Sequence, residues 1–86
     1  MPTVLRFDGL RAAIYFNDHR PAHVHVHVHV TGDGNSAVID LHCPHGPPRV
    51  RECYGFKYSE LRRIEAAVAG ALEGLCRRWE EIHGYS

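Results

Sequence analysis

The sequence predicts an α+β domain: a four-stranded antiparallel β-meander whose apolar face is covered by one long C-terminal helix. Two observations support this fold class. Residues 23–30 alternate strictly between histidine and valine, and on a β-strand this places four imidazoles on one face and four valines on the other. Between Leu61 and Ile82, apolar residues recur at steps of three and four, which is the period of a helix. A chain of 86 residues is expected to form a single domain, residues 1–86.

The first two predicted strands, residues 3–7 and 10–16, are joined by Asp8-Gly9, a dipeptide typical of two-residue hairpin turns. This turn sets the pairing of the strands, with Phe7 opposite Leu10, Arg6 opposite Arg11 and Leu5 opposite Ala12. Arg6, Arg11 and Tyr15 then share the face that points away from the core.

The third and fourth predicted strands, residues 23–30 and 36–42, flank a turn centred on Asp33-Gly34. On the apolar side this register pairs Val30 with Ala37, Val28 with Ile39 and Val26 with Leu41. On the other side it pairs His27 with Asp40 and His25 with His42. A slip of one residue would turn Ile39 and Leu41 toward the histidines, so the apolar pattern selects this register. The sequence thereby predicts that His25, His27, Asp40 and His42 lie together.

The C-terminal part of the chain is predicted to be helical. Residues 49–53 either add a short strand or lead directly into this helix. Ser59 is a plausible N-cap and Gly84 a natural stop. One long helix is expected, with a break near Gly70 as the alternative, because a glycine inside a helix costs about 1 kcal/mol relative to alanine. A helix of about 24 residues spans about 36 Å against about 27 Å for an eight-residue strand, so the Trp79 end is expected to overhang the sheet.

Composition excludes some classes of function. Ten basic residues balance ten acidic ones, so overall charge predicts neither nucleic-acid nor membrane binding. Eight histidines make this balance dependent on pH. The three cysteines are an odd number and include no C-x-x-C pair. No signal peptide and no membrane span are expected, and a reduced, cytoplasmic protein is predicted.

Several stretches of the chain are together similar to one bacterial family. They are Met1-Pro2-Thr3-Val4-Leu5, Gly9, Asn17-Asp18-His19, Pro21, His23-Val24-His25-Val26, Phe56, Ser59-Glu60-Leu61 and Trp79. On these motifs, which cover nearly the whole chain, the sequence resembles the domain of unknown function 4160. Arg20 and Ala22 stand where that family usually has an acidic residue and a second proline.

The resemblance implies a small α+β domain for which no activity is established. It also implies a gene often found beside a second small protein, in the manner of toxin–antitoxin modules. Any role of the family's histidines carries over only to His19, His23 and His25, because His27 and His29 extend the usual motif.

A divalent transition-metal site is the first functional hypothesis. Imidazoles two residues apart on a strand can lean together, and Zn²⁺ takes nitrogen ligands at about 2.0–2.1 Å in a tetrahedral arrangement. Zn²⁺ or Ni²⁺ suit imidazole better than Mg²⁺ does. The candidate ligands are His23, His25, His27, Asp40 and His42.

Metal-independent cleavage of RNA is the alternative. Two histidines can act as general base and general acid, here His25 and His42. Arg6 and Arg11 could hold a phosphate bidentately, and Tyr15 could stack on a base.

A third interpretation is that the histidines form a solvated or partner-covered strand face. Function would then lie in binding a protein partner or a second copy of the chain. That partner would contact either the histidine face or the overhanging helix end, at Leu75, Trp79 and Ile82. Asp18 and His19 could pair catalytically, but an Asx-type turn explains Asp18 better.

Overall fold

The structure is a computed structural model that describes residues 3–7, 9–15, 17–28 and 34–84. In these ranges the elements are β1 (Thr3–Phe7), β2 (Leu10–Ala13), β3 (His23–Val28), β4 (Ser36–Asp40), β5 (Arg49–Tyr54), α1 (Tyr58–Gly70) and α2 (Leu72–His83). The strands form one antiparallel sheet in the order β1-β2-β3-β4-β5. The predicted α+β class and meander are confirmed, but the sheet has five strands instead of four, and two helices replace the single long one.

The first hairpin has the predicted register. Phe7 pairs with Leu10, Arg6 with Arg11 and Leu5 with Ala12. An irregularity between Thr3 and Leu5 then lets Thr3 pair with Ala13, as in a β-bulge. β2 ends at Ala13, so the predicted continuation of the strand through Ile14 and Tyr15 is wrong, while Phe16 lies outside the described residues.

The register between β3 and β4 differs from the prediction by four residues. Ile39 pairs with Val24, not with Val28, and Ala37 pairs with Val26 instead of Val30. A slip by an even number keeps every side chain on its predicted face, so the valines still pair with apolar residues. The slip does change the polar pairs: Asp40 lies opposite His23, and His25 lies opposite Val38. His29 and Val30 lie outside the described residues.

For residues 49–53 the sequence left open a short strand or a direct lead into the helix. The structure has the strand, β5, which pairs with β4 along its length. Val50 lies opposite Ile39, and Cys53 lies opposite Ala37. The register shifts between these two pairs, so Arg51 is an extra residue. Apolar positions three apart break the two-residue period of a regular strand, which is why the pattern did not identify β5.

The helical segment is interrupted at Ala71, whose φ of −112° and ψ of 11° are not helical. The break near Gly70, stated as the alternative, is therefore what the structure has. α1 begins at Tyr58 instead of after Ser59, and the Glu60 carboxylate accepts the Lys57 N–H at 2.8 Å. Gly84, with a φ of 77°, ends α2 as predicted.

One hydrophobic core joins the valine face of the sheet to both helices. Val24 and Val26 are fully buried in the same cluster as Ile64 and Val68 of α1, which confirms that the helical segment covers this face. Further members from α2 are Leu75, Cys76 and Trp79. Leu75 and Trp79 are 1% and 0% exposed, so the expected overhang of this helix end is wrong. These two buried residues are two of the three that were predicted to contact a partner there.

A disulfide joins Cys43, in the connection after β4, to Cys76 of α2. Cys53 is a free cysteine. The expectation that all three cysteines are reduced is therefore wrong for two of them. Because disulfides are rare in the reducing cytosol, this bond weighs against the premise of the cytoplasmic location, which stays a prediction.

Within the described ranges, neither helix combines the length and the apolar character that crossing a bilayer requires.

Candidate metal centre

Three side chains from the second half of the β2–β3 connection and the start of β3 converge on one point: Asp18, His23 and His25. The Nε2 atom of His25 lies 3.0 Å from Oδ1 of Asp18, and the Nε2 atom of His23 lies 3.6 Å from the same oxygen. The three potential ligand atoms all lie within 4.8 Å of one another. Because His23 and His25 are two residues apart on a strand, their side chains project from the same face.

A tight turn places Asp18. The N–H of Asp18 donates to the carbonyl of Tyr15 at 3.1 Å, and the N–H of Tyr15 donates to Oδ2 of Asp18 at 2.9 Å. This pair of bonds occupies Oδ2 and turns Oδ1 toward the imidazoles. The carboxylate therefore shapes the connection and also faces the histidine strand.

A second backbone contact orients His23. Its Nδ1 lies 2.7 Å from the carbonyl oxygen of Pro21, a distance at which Nδ1–H donates a hydrogen bond. In the neutral ring Nε2 then carries the lone pair, and this atom faces Asp18. Both nitrogens of His23 are thus directed at oxygen atoms.

The group lies at the border between the core and solvent. His23 is 5% exposed, and its ring lies 5.2 Å from the indole of Trp79, centroid to centroid. The side chains of Asp18 and His25 are 11% and 25% exposed. Solvent and small solutes therefore reach the group from the His25 side.

The charge state of Asp18 follows from its neighbours. Burial by itself would raise the pKa of this carboxyl, but the hydrogen bonds from the Tyr15 N–H and from His25, together with the charges of His25 and His23, lower the pKa below its usual value. Asp18 is consequently a carboxylate at neutral pH, available to a cation.

His27 continues the row of imidazoles along β3. Its ring lies parallel to that of His25, with centroids 6.3 Å apart and an interplanar angle of 4°. The hydroxyl of Tyr15 lies 3.4 Å from its Nε2, and Arg11 is its neighbour on β2. Burial, then the positive charges of Arg11 and His25, lower the pKa of His27.

The predicted ligands Asp40 and His42 lie elsewhere. Asp40 pairs with Arg51 across β4 and β5. His42 follows the end of β4 in a left-handed conformation, with a φ of 52°, and its Nδ1 lies 2.9 Å from the carbonyl oxygen of Pro47. It lines a concavity of about 380 Å³ together with Arg20, Pro21, Ala22 and Cys43. Among the described residues, the converging group includes neither Asp40 nor His42.

The structure thus brings together some of the predicted site residues and separates others. His23 and His25 converge as expected of metal ligands, whereas His25 and His42 are not directly opposite each other, as the acid–base pair of the RNA-cleavage hypothesis required. Tyr15 packs on His25, with ring centroids 5.0 Å apart, and Arg6 lies opposite Arg11 as predicted.

Sequence reasoning missed Asp18 as a member of the group. It interpreted the residue as part of a turn, and the turn bond to Tyr15 is indeed present. The neglected signal was the distance along the chain: Asp18 stands five residues before His23, close enough for a turn to fold it back onto the strand. His19, its neighbour, is exposed and is not part of the group.

These features define a small α+β domain in which a carboxylate and two strand imidazoles converge at the edge of the core. Comparison with known families identifies the family to which this domain belongs. The chain belongs to the family described as a domain of unknown function, DUF4160, whose family model matches residues 9–80. The match includes Asp18, His23 and His25. Neither the curated proteins nor the solved structures contain a match to the chain.

Proposed function

We propose that this domain binds one divalent transition-metal ion, of the zinc type, through Asp18, His23 and His25. The observation that carries the proposal is the position of His23. Its Nδ1 is engaged by the Pro21 carbonyl, while its Nε2 faces Oδ1 of Asp18. With Nδ1 engaged by Pro21, Nε2 is the ring nitrogen left to bind a cation beside the Asp18 carboxylate.

The distances support an ion of this size. Tetrahedral Zn²⁺ with ligands at about 2.0–2.1 Å places its ligand atoms about 3.3 Å apart. The two distances to Oδ1 of Asp18, 3.0 and 3.6 Å, lie on either side of that value. All three potential ligand atoms lie within 4.8 Å of one another, so binding of one ion would draw the two imidazoles closer together.

The surrounding bonds are those of a ligand set held in position. Metal-binding histidines usually donate their second N–H to a backbone carbonyl or a carboxylate, and ligating carboxylates are themselves hydrogen-bonded. Here Pro21 anchors His23, and the Tyr15 N–H anchors Asp18. Both anchors use the atom that is not directed at the centre.

Three protein ligands leave at least one coordination position, and the exposure of His25 supports an opening on its side. Two imidazoles and one carboxylate with an open position are the donor set of several catalytic zinc and non-haem iron sites. We therefore infer an ion that is accessible to a small ligand instead of a closed structural site. Docking of a protein partner on the histidine face, including a toxin–antitoxin-like partner, stays a prediction.

Calorimetric titration of the EDTA-treated, untagged protein with Zn²⁺ tests the proposal. We expect one ion per chain, and a loss of affinity of at least about tenfold in Asp18→Asn and in His25→Gln. His45→Gln is the matched control, because His45 is an exposed loop residue outside the group. Equal losses in all three variants, or several ions bound without saturation, would show capture by surface histidines and refute the proposal.

A further inference from the structure

A second concavity lies on the same face of the sheet, beside the metal group. It has a volume of about 260 Å³ and is lined by Arg11, His27, Gly34, Asn35 and Ser36. Three of these residues stand in one row across the sheet, because His27 pairs with Arg11 on β2 and with Ser36 on β4. Their side chains therefore project from one face of three adjacent strands.

Arg11 carries the permanent positive charge of this concavity. Arg6 lies opposite Arg11, and Arg11 lies opposite His27. In the part of the chain that the structure describes, no carboxylate forms an ion pair with Arg11. A bound anion would pair with this guanidinium.

The donors around the concavity fit a tetrahedral oxyanion. A guanidinium presents a fork of N–H groups that matches two oxygens of a phosphate. The Ser36 hydroxyl adds a neutral donor, and the His27 ring adds a further N–H. Small-molecule pockets usually measure about 300–1,000 Å³, so a space of about 260 Å³ suits a small ionic group.

We propose that Arg11, His27 and Ser36 form a binding pocket for a small phosphate, either inorganic phosphate or a phosphate monoester. The pocket is distinct from the metal group, which uses His25 and not His27, and it does not require that a metal be bound. The two sites are neighbours along β3, since the rings of His25 and His27 are 6.3 Å apart.

Titration of ¹⁵N-labelled protein with inorganic phosphate, in EDTA and at constant ionic strength, tests this pocket. We expect saturable shifts at the amides of Gly34 and Ser36 and at Nε of Arg11. A parallel titration with methyl phosphate distinguishes the two sources of the ligand: comparable or tighter binding identifies a monoester site, and weaker binding identifies a site for the free ion.

Two substitutions that each remove one positive charge distinguish binding in the pocket from general electrostatic attraction. Arg11→Gln should weaken phosphate binding at least about tenfold, whereas Arg77→Gln, on an exposed helical arginine paired with Glu73, should leave it unchanged. Ser36→Ala should weaken binding several-fold, and Arg11→Lys should fall between wild type and Arg11→Gln. These two milder variants keep the test valid if Arg11→Gln does not fold.

Three results would overturn the inference: absence of saturable shifts, equal weakening by Arg11→Gln and Arg77→Gln, and binding of an oligoribonucleotide without any binding of phosphate or methyl phosphate. Because the titrations contain EDTA, a negative result here leaves the metal proposal unaffected, and a negative zinc titration leaves this one unaffected.

Discussion

The indole of Trp79 lies against the imidazole of His23, with 5.2 Å between the ring centroids. Trp79 belongs to α2 and is fully buried, whereas His23 opens β3. This contact connects the core of the domain to the candidate metal ligands. It also places the only tryptophan of the chain beside one of those ligands.

Trp79 should therefore report metal binding directly. We expect Cu²⁺, a paramagnetic ion that imidazole binds well, to quench the tryptophan fluorescence and to saturate at one equivalent. His25→Gln should shift the quenching to a higher copper concentration, while His45→Gln should not. Quenching that never saturates, or that is the same in His25→Gln, would indicate collisions with the surface and not a site beside Trp79.

Reduction of the Cys43–Cys76 disulfide should destabilise the domain. The bond links residues 33 positions apart, and closing a loop of that length contributes about 3–4 kcal/mol in the chain-entropy model. A domain of this size has a total stability of only about 4–13 kcal/mol, so the melting temperature should fall by more than about 10 °C on reduction.

Thermal melting with and without a phosphine reductant measures this effect. Cys53→Ala is the control, because Cys53 is the free cysteine, and this variant should keep the full response to reductant. Alkylation of the native protein should modify one cysteine per chain, and alkylation after reduction and unfolding should modify three. Three modified cysteines in the native protein would contradict the disulfide.

His27 should make the metal-free domain less stable below neutral pH. Burial, followed by the charges of Arg11 and His25, lowers its pKa, so the folded state resists a proton that the unfolded chain accepts from about pH 6.5 downward. The contribution of His27 to the free energy of unfolding is constant above that pH. It decreases as the pH falls toward the pKa that His27 has in the folded state. Asp18, whose pKa is also lowered, acts only at more acidic pH, near and below about 4.

Urea unfolding in EDTA between pH 7.5 and 5 checks this sign. The free energy of unfolding should decrease with falling pH in the wild type and decrease less in His27→Gln. His45→Gln, a substitution of an exposed loop residue, should behave as the wild type does. A steeper decrease in His27→Gln than in the wild type would reverse the inferred direction of the pKa.

Two glycine-to-alanine substitutions should have opposite effects. Gly55 has a φ of +87°, and a Cβ there would lie 2.2 Å from Oδ1 of Asn35. The flexible amide can move away, but the left-handed backbone conformation remains and costs about 1–2 kcal/mol. Gly74 lies inside α2 with no atom within 4 Å of an added Cβ, so alanine there should stabilise the fold by up to about 1 kcal/mol.

Chemical denaturation of both variants measures the two differences. The comparison with Gly74→Ala controls for the loss of unfolded-state entropy that any glycine-to-alanine change brings. An unchanged or increased stability of Gly55→Ala would show that the turn after β5 tolerates a side chain.

Local signals in the sequence were enough to predict much of the sheet. The two-residue connection through Gly9 fixed the register of the first hairpin, because such a turn leaves no freedom in pairing. The alternation of residues 23–28 correctly assigned Val24 and Val26 to the core. Both signals act over a few residues, where the geometry of the chain determines the outcome.

The members of the group formed by Asp18, His23 and His25 could not be predicted in the same way. A repeat of period two distinguishes odd from even register but does not choose among even registers, so the pairing of Asp40 with His27 was four residues from the observed pairing with His23. The members of the group were therefore partly wrong even though the face was right. The position of Asp18 beside the histidines depends on how the turn at Tyr15 folds back onto β3. This is a tertiary contact, which the residue pattern does not specify.

The His-Val dipeptides of β3, residues 23–28, repeat one pattern of side chains. Gain or loss of one dipeptide would exchange one imidazole for the next and keep valines at the buried positions of Val24 and Val26. The change in length would fall on the connection between β3 and β4. A histidine would then still face Asp18 although the sequence had changed in length, which a strand of varied sequence would not allow.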